Sequence, residues 1–208
     1  MADPVRVAVL ISGRGSNMRA LAEYRRRDPD RAYRIVLVAS NVPEARGLVL
    51  AKRFGVKIWA HSHKGMDRAE FDLRLDEVLR AHDVELIALA GYMRLLSPEF
   101  VARWSGRILN IHPSLLPLYK GLDTHRRAIL AGDEYAGCSV HVVTDDLDSG
   151  PVIGQAQVRI LPRDDADSLA DRVLEAEHAL YPAALDEYAR AMREEALPSL
   201  QSEEGDEA

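Results

Sequence analysis

One cysteine, Cys138, occurs in the 208 residues. A single thiol excludes an internal disulfide and a cysteine-rich zinc site, and it fits a reducing cytosol, so a cytoplasmic location is expected. Positive charge is also short: 27 Lys and Arg stand against 33 Asp and Glu, a net charge of −6. A general phosphate-backbone binder needs a basic face, so nucleic acid is not an expected partner. No stretch approaches the ~20 apolar residues of a membrane helix, and the run Val5–Ile11 is too short for the core of a signal peptide. There is no internal repeat and no composition break that would mark a linker. Glycine-rich signatures are incomplete: the third glycine of a dinucleotide fingerprint, the Gly-Lys-Ser/Thr ending of a P-loop and a Gly-x-Ser-x-Gly elbow are all missing. His61-Ser62-His63 lacks the further ligands that a zinc site requires, so no metal is expected.

What is present is a chain with 47% hydrophobic and 29% charged residues, the balance of a globular protein. Short β-branched runs alternate with helical patterns. Strands are expected at Val5–Ile11, Arg34–Ser40, Val56–Trp59, Glu85–Ala90 and Arg107–Ile111. Helices are expected at Met18–Arg27, Ala45–Phe54, Asp67–His82 and Pro98–Trp104, the last capped by Ser97 with proline at its first position. After residue 135 the rhythm changes to two strands, Ser139–Thr144 and Val152–Ile160, joined by a turn, and then to a long helix over Ala166–Met192. The expected fold is α/β: a single-domain, Rossmann-like, mostly parallel sheet with helices on both faces, antiparallel strands near the C-terminal part and a long C-terminal helix. Residues 1–195 form the domain, and the acidic segment 196–208 is expected to be disordered.

Three segments carry candidate chemistry. Gly13-Arg14-Gly15-Ser16-Asn17 follows the first strand and opens a helix, which suits either a capped strand-to-helix turn or a monophosphate site on free backbone N–H groups. Asn110 and His112 stand two apart, so at the C-terminal end of a parallel strand both side chains face one space. Pro113 biases His112 toward extended backbone. A carboxamide beside an imidazole suits a developing oxyanion and a proton shuttle, although a histidine at a strand end is equally often a structural hydrogen bonder. Thr144-Asp145-Asp146-Leu147-Asp148-Ser149-Gly150 reads as a solvated turn unless Asp148, beside a glycine, supplies the acidic partner that orients His112 and favours its protonated form. Arg94, with Met93, Leu95 and Leu96, lies past a strand end, as a surface arginine or as part of an apolar wall for a flat heterocycle. His82, His125, His141 and His178 complete the histidine count, and Glu177 reads by default as a solvated helix charge.

Together Ile11–Asn17 (ISGRGSN), Ala90–Pro98 (AGYMRLLSP), Asn110–Pro117 (NIHPSLLP) and Asp146–Ile153 (DLDSGPVI) resemble the phosphoribosylglycinamide formyltransferase family, folate-dependent enzymes of purine synthesis, over about Val7 to Pro182. The resemblance implies formyl transfer from 10-formyltetrahydrofolate, a co-substrate, to the amine of glycinamide ribonucleotide, in a monomer or homodimer. It implies Asn110, His112 and Asp148 as catalytic, Gly15, Ser16 and Asn17 at the substrate phosphate, and Glu177 at the glycinamide end. Met93, Arg94, Leu95, Leu96, Asn110 and Thr144, Asp145, Asp146, Leu147, Asp148 would form the folate pocket, with Arg68 at the folate tail. Lys120 and Asp123 depart from the proline and histidine of some relatives. Relatives that hydrolyse the same donor fit less well, because the chain opens on its first strand and carries the Gly-Ser-Asn loop.

Overall fold

Strand β1 (Val5–Ile11) shows how the sheet is covered. Val5, Val7, Val9 and Ile11 face one apolar cluster and Ala8 and Leu10 the other, as the two-residue period of a strand buried on both faces requires. The computed structural model describes residues 3–196; the expected disorder of 196–208 falls almost wholly outside them.

In chain order the elements are α1 (Ser16–Arg27), β2 (Tyr33–Ser40), α2 (Arg46–Arg53), β3 (Lys57–Ala60), α3 (Arg68–Ala81), β4 (Leu86–Leu89) and α4 (Pro98–Arg103). There follow β5 (Ile108–His112), α5 (Thr124–Ala131), β6 (Tyr135–Val142), β7 (Val152–Arg159) and α6 (Ala166–Ala196). The seven strands are ordered β3-β2-β1-β4-β5-β6-β7. β1 to β5 run parallel, and β6 and β7 add as antiparallel neighbours. Helices cover both faces: Met18, Leu21, Leu48, Ala128, Leu169, Val173 and Leu185 on one, Phe71, Leu75, Leu79, Phe100 and Trp104 on the other.

Two departures from the sequence reading matter. α5 has no counterpart in it, and β6 begins at Tyr135 instead of Ser139. Both lie between the catalytic candidates of β5 and those of the 144–150 turn. The fold class is otherwise the expected one, a mostly parallel sheet with two antiparallel strands and a long last helix. Strand order reverses beside β1, since β2 and β3 lie to one side and β4 onward to the other. Open α/β sheets bind ligands in the crevice at that reversal, beyond the C-terminal strand ends. No helix among the described residues is long and apolar enough to cross a membrane.

Candidate active site

The segment after β1 is built around glycine. Gly15 has φ 76°, the left-handed region that favours glycine, and it precedes α1 without a side-chain cap. It packs on Gly47 at the start of α2: a Cβ on Gly47 would meet Ile11 Cδ1 at 2.5 Å and Gly15 Cα at 3.0 Å. Gly47 N–H also donates to Gly13 O at 3.0 Å. The loop is therefore shaped by a helix pressed against it, a feature that the sequence reading did not contain. Asn17, at the second position of α1, is buried and donates from Nδ2 to Glu177 Oε2 at 2.7 Å. Asn17 Oδ1 is buried without a partner.

Glu177 is not the solvated helix charge that its composition suggested; it is 7% exposed. Leu169, Val173, Glu177, Tyr181 and Leu185 fall at four-residue spacing on the buried stripe of α6, so the helix itself carries the carboxylate inward. Burial pushes the Glu177 carboxyl up, and the Asn17 amide offsets part of that. One turn on, Tyr181 OH lies 3.1 Å from both Leu89 O and Leu109 O and pins α6 under the last residue of β4 and the second of β5.

At the end of β5 the antiparallel register sets Asn110 opposite His141 and His112 opposite Ser139. Directly opposed residues share a face of the sheet, so these four side chains converge. Asn110 Nδ2 lies 3.2 Å from His141 Nε2. His141 Nε2 lies 3.5 Å from Asp148 Oδ1, and His112 Nδ1 lies 3.4 Å from Asp148 Oδ2. The structure thus brings Asn110, His112 and Asp148 together, with His141 as the link. His141 entered the sequence reading only in the histidine count; the signal that finds it is the strand register.

Asp148 is 9% exposed and sits at φ 47°. It is no solvated turn residue, because Gly121 N–H donates to Oδ2 at 2.9 Å. Burial alone would raise its carboxyl. Hydrogen bonds from His141 and Gly121 N–H, with the charge of nearby His112, outweigh burial and hold it below the usual carboxylate range. His112 is 5% exposed, and its Nε2 donates to Tyr119 O at 3.0 Å. Both ring nitrogens are thus engaged, so a ligand receives a His112 proton only when one contact is exchanged. Lys120 Nζ donates to Ser149 Oγ at 2.7 Å and ties the Pro113–Asp123 segment to the 144–150 turn. Asp123 precedes α5 at φ 61° and accepts from Arg126 Nε at 2.8 Å. Lys120 and Asp123 are therefore local fasteners.

On the β4 side, Met93 and Leu95 are 72% and 54% exposed, and Leu147 in the 144–150 turn is 55% exposed. Leu96 instead packs inward against the α3–α4 core. Arg94 lies 4.9 Å above the Phe71 ring centre and donates from Nη2 to Asp67 O at 2.9 Å. Arg68 is exposed at the first residue of α3. Thr144, Asp145 and Asp146 are exposed, with Thr144 Oγ1 donating to Asp146 O at 3.3 Å. Among the described residues no group of three or more His, Cys, Asp or Glu is placed to hold a metal ion.

Fold and site together define an open α/β protein with a polar cluster on β5 and β6, and comparison with known proteins gives the family. Residues 5–185 match the formyl transferase family. The phosphoribosylglycinamide formyltransferase of Escherichia coli (strain K12) is 42% identical over 184 residues, covering 88% of this chain and 86% of that protein. The crystal structure of the phosphoribosylglycinamide formyltransferase from Brucella melitensis is 46% identical with a TM-score of 0.86, over 90% of this chain and 96% of that one. The trifunctional purine biosynthetic protein adenosine-3 of Drosophila melanogaster is 48% identical over 182 residues; the chain covers only 14% of its length. The chain belongs to the formyl transferase family.

Proposed function

We propose that the chain transfers the formyl group of 10-formyltetrahydrofolate to the amine of glycinamide ribonucleotide, giving formylglycinamide ribonucleotide and tetrahydrofolate in purine synthesis in the cytoplasm. The observation that carries this reading is the continuous contact from Asn110 through His141 to Asp148 and His112, on the strand next to β4 at the strand reversal. The relatives at 42% and 46% identity bear the name of this activity over nearly their whole length.

The phosphate of the acceptor lies on Gly15, Ser16 and Asn17, at the N-terminus of α1, where backbone N–H groups and the helix dipole favour an anion. Glu177 and the unpartnered Oδ1 of Asn17 offer acceptors for the glycinamide end. The pteridine of the donor packs on Met93 and Leu95 below the 144–148 turn, with Arg94 and Arg68 at its rim. Attack of the amine on the formyl carbon forms a carbon–nitrogen bond and a tetrahedral oxyanion. An N–H of Asn110 Nδ2 stabilises that charge. His112 exchanges Tyr119 O for the substrate and passes its proton to the departing folate nitrogen, while the attacking nitrogen loses one through the Asp148 side of the cluster. Collapse of the intermediate breaks the bond to folate. The formyl group arrives already activated, so the proposed reaction has no step that requires a metal.

The test is spectroscopic: purified protein is mixed with 10-formyltetrahydrofolate, with and without glycinamide ribonucleotide. Donor consumption that depends on the amine is expected. Equal consumption without it would instead mean hydrolysis of the donor and would overturn the reading.

A further inference from the structure

Two loops serve the two substrates in this reading, and a hydrogen-bonded chain joins them across three strand ends. Met93 N–H donates to Ser12 Oγ at 2.7 Å, and Ser12 Oγ–H donates to Asn41 Oδ1 at 2.6 Å. Ser12 follows β1, Asn41 follows β2, and Met93 lies beyond β4. Met93 N–H can only donate, so the single hydroxyl proton of Ser12 is left for the Asn41 carbonyl, and the direction of the chain is fixed. Asn41 is 2% exposed. It is anchored in turn by His63, whose Nδ1 lies 3.0 Å from Asn41 Nδ2 and 2.9 Å from Asn41 O. His63 stands edge-on to Phe71 at 6.4 Å between ring centres, and Phe71 lies under the guanidinium of Arg94. The consecutive residues Met93 and Arg94 are thus held from both sides. Backbone adds to this: Ser12 N–H donates to Gly91 O at 3.1 Å.

We propose that Ser12 and Asn41 are positioning residues, which hold the 91–94 turn on the folate side in register with the 13–17 loop on the phosphate side. The inference rests on the function proposed above. Neither residue need touch a reacting atom. Its contribution is to the alignment of two bound molecules, and misplacement of about 1 Å between reacting groups can cost ~10² in rate. A break in the chain therefore lowers turnover between the two ligands more than it weakens either one alone.

The experiment compares wild type with Ser12→Ala, Ser12→Thr and Asn41→Ala. Binding of glycinamide ribonucleotide alone and of tetrahydrofolate alone is measured by titration, kcat is measured at saturation, and circular dichroism monitors folding. In Ser12→Ala and Asn41→Ala, kcat is expected to fall roughly 10-fold or more while both dissociation constants stay within roughly twofold. Ser12→Thr, which keeps the hydroxyl, is expected to recover most of kcat. If Asn41→Ala does not fold, the Ser12 pair decides. Wild-type kcat in Ser12→Ala, a weakened ligand with kcat intact at saturation, or Ser12→Thr as slow as Ser12→Ala would each overturn the inference. Failure of the wild type itself to turn over the pair would overturn the proposed function and this inference with it.

Discussion

Asp148→Asn isolates charge from shape. Asp148 holds φ 47°, a region that asparagine tolerates, so the turn survives the exchange. The amide oxygen can keep the Gly121 N–H bond now made at 2.9 Å. What goes is the negative charge, approached by His112 at 3.4 Å and His141 at 3.5 Å. Hydrogen bonds to a charged group contribute about 1.5–3 kcal/mol each, against about 1 for neutral ones. Because the histidine contacts are long and the Gly121 bond remains, the expected loss is about 1–2 kcal/mol in total. In a chain of this size that lowers Tm by roughly 2–8 °C.

The sign of the pH dependence follows from the depressed carboxyl. Its folded value lies below 3.8, because the hydrogen bonds and the nearby histidines outweigh burial. The stabilisation is therefore complete above that value and disappears as pH falls through the folded one. Denaturant titration across pH should show the gap between wild type and variant closing in acid. The same substitution removes the group that orients His112, so kcat should fall about 10³–10⁴-fold. A stability gap that widens on acidification, or a kcat within tenfold of wild type, would refute the reasoning.

Asn110→Ala should lower kcat by ~10²–10³, the effect of losing one oxyanion donor, with an unaltered circular dichroism spectrum; steady-state turnover near wild type would remove Asn110 from the mechanism. Glu177→Gln should flatten stability against pH. Burial raises the wild-type carboxyl above 4.5, so the wild type loses stability as pH rises from there through the folded value, and the glutamine variant does not. Denaturant titration at pH 4 and pH 8 checks this, and an equal slope in both proteins rules it out. Gly47→Ala drives a Cβ into Ile11 Cδ1 and Gly15 Cα. It should cost about 1–3 kcal/mol and raise the KM for the phosphate-bearing substrate; an unchanged thermal midpoint would count against the close packing.

β1, β2 and β4 were legible because each carries a continuous apolar run, the mark of a strand buried on both faces. α5 was not, and its residues show why. Of Thr124–Ala131 only Thr124 and Ala128 are buried, Leu130 is 77% exposed, and Asp123 ahead of it makes no side-chain cap. Periodicity does not announce such a helix, and Gly132 after it, at φ 74°, marks only where it stops. β6 was entered four residues late because Ala136, Gly137 and Cys138 are small and carry little strand preference.

The late start did not hide His141, which lies inside the expected strand Ser139–Thr144; what was missing is the pairing of that strand with β5. The spacing of Asn110 and His112 is local and survived, whereas His141 becomes visible only once the β5–β6 register is known. Asn17 and Glu177 are 160 positions apart, and their meeting depends on how α6 crosses the sheet. The sequence did contain one usable sign: a lone carboxylate at the centre of the stripe Leu169, Val173, Glu177, Tyr181, Leu185. A charge on a buried stripe lowers stability unless something compensates it. Its presence there argues for a role that packing does not explain, and Asn17 at the start of α1 is the neighbour it meets. The residues that local pattern misjudged are thus the polar ones with distant partners, and in the proposed function those are residues assigned to the two substrates.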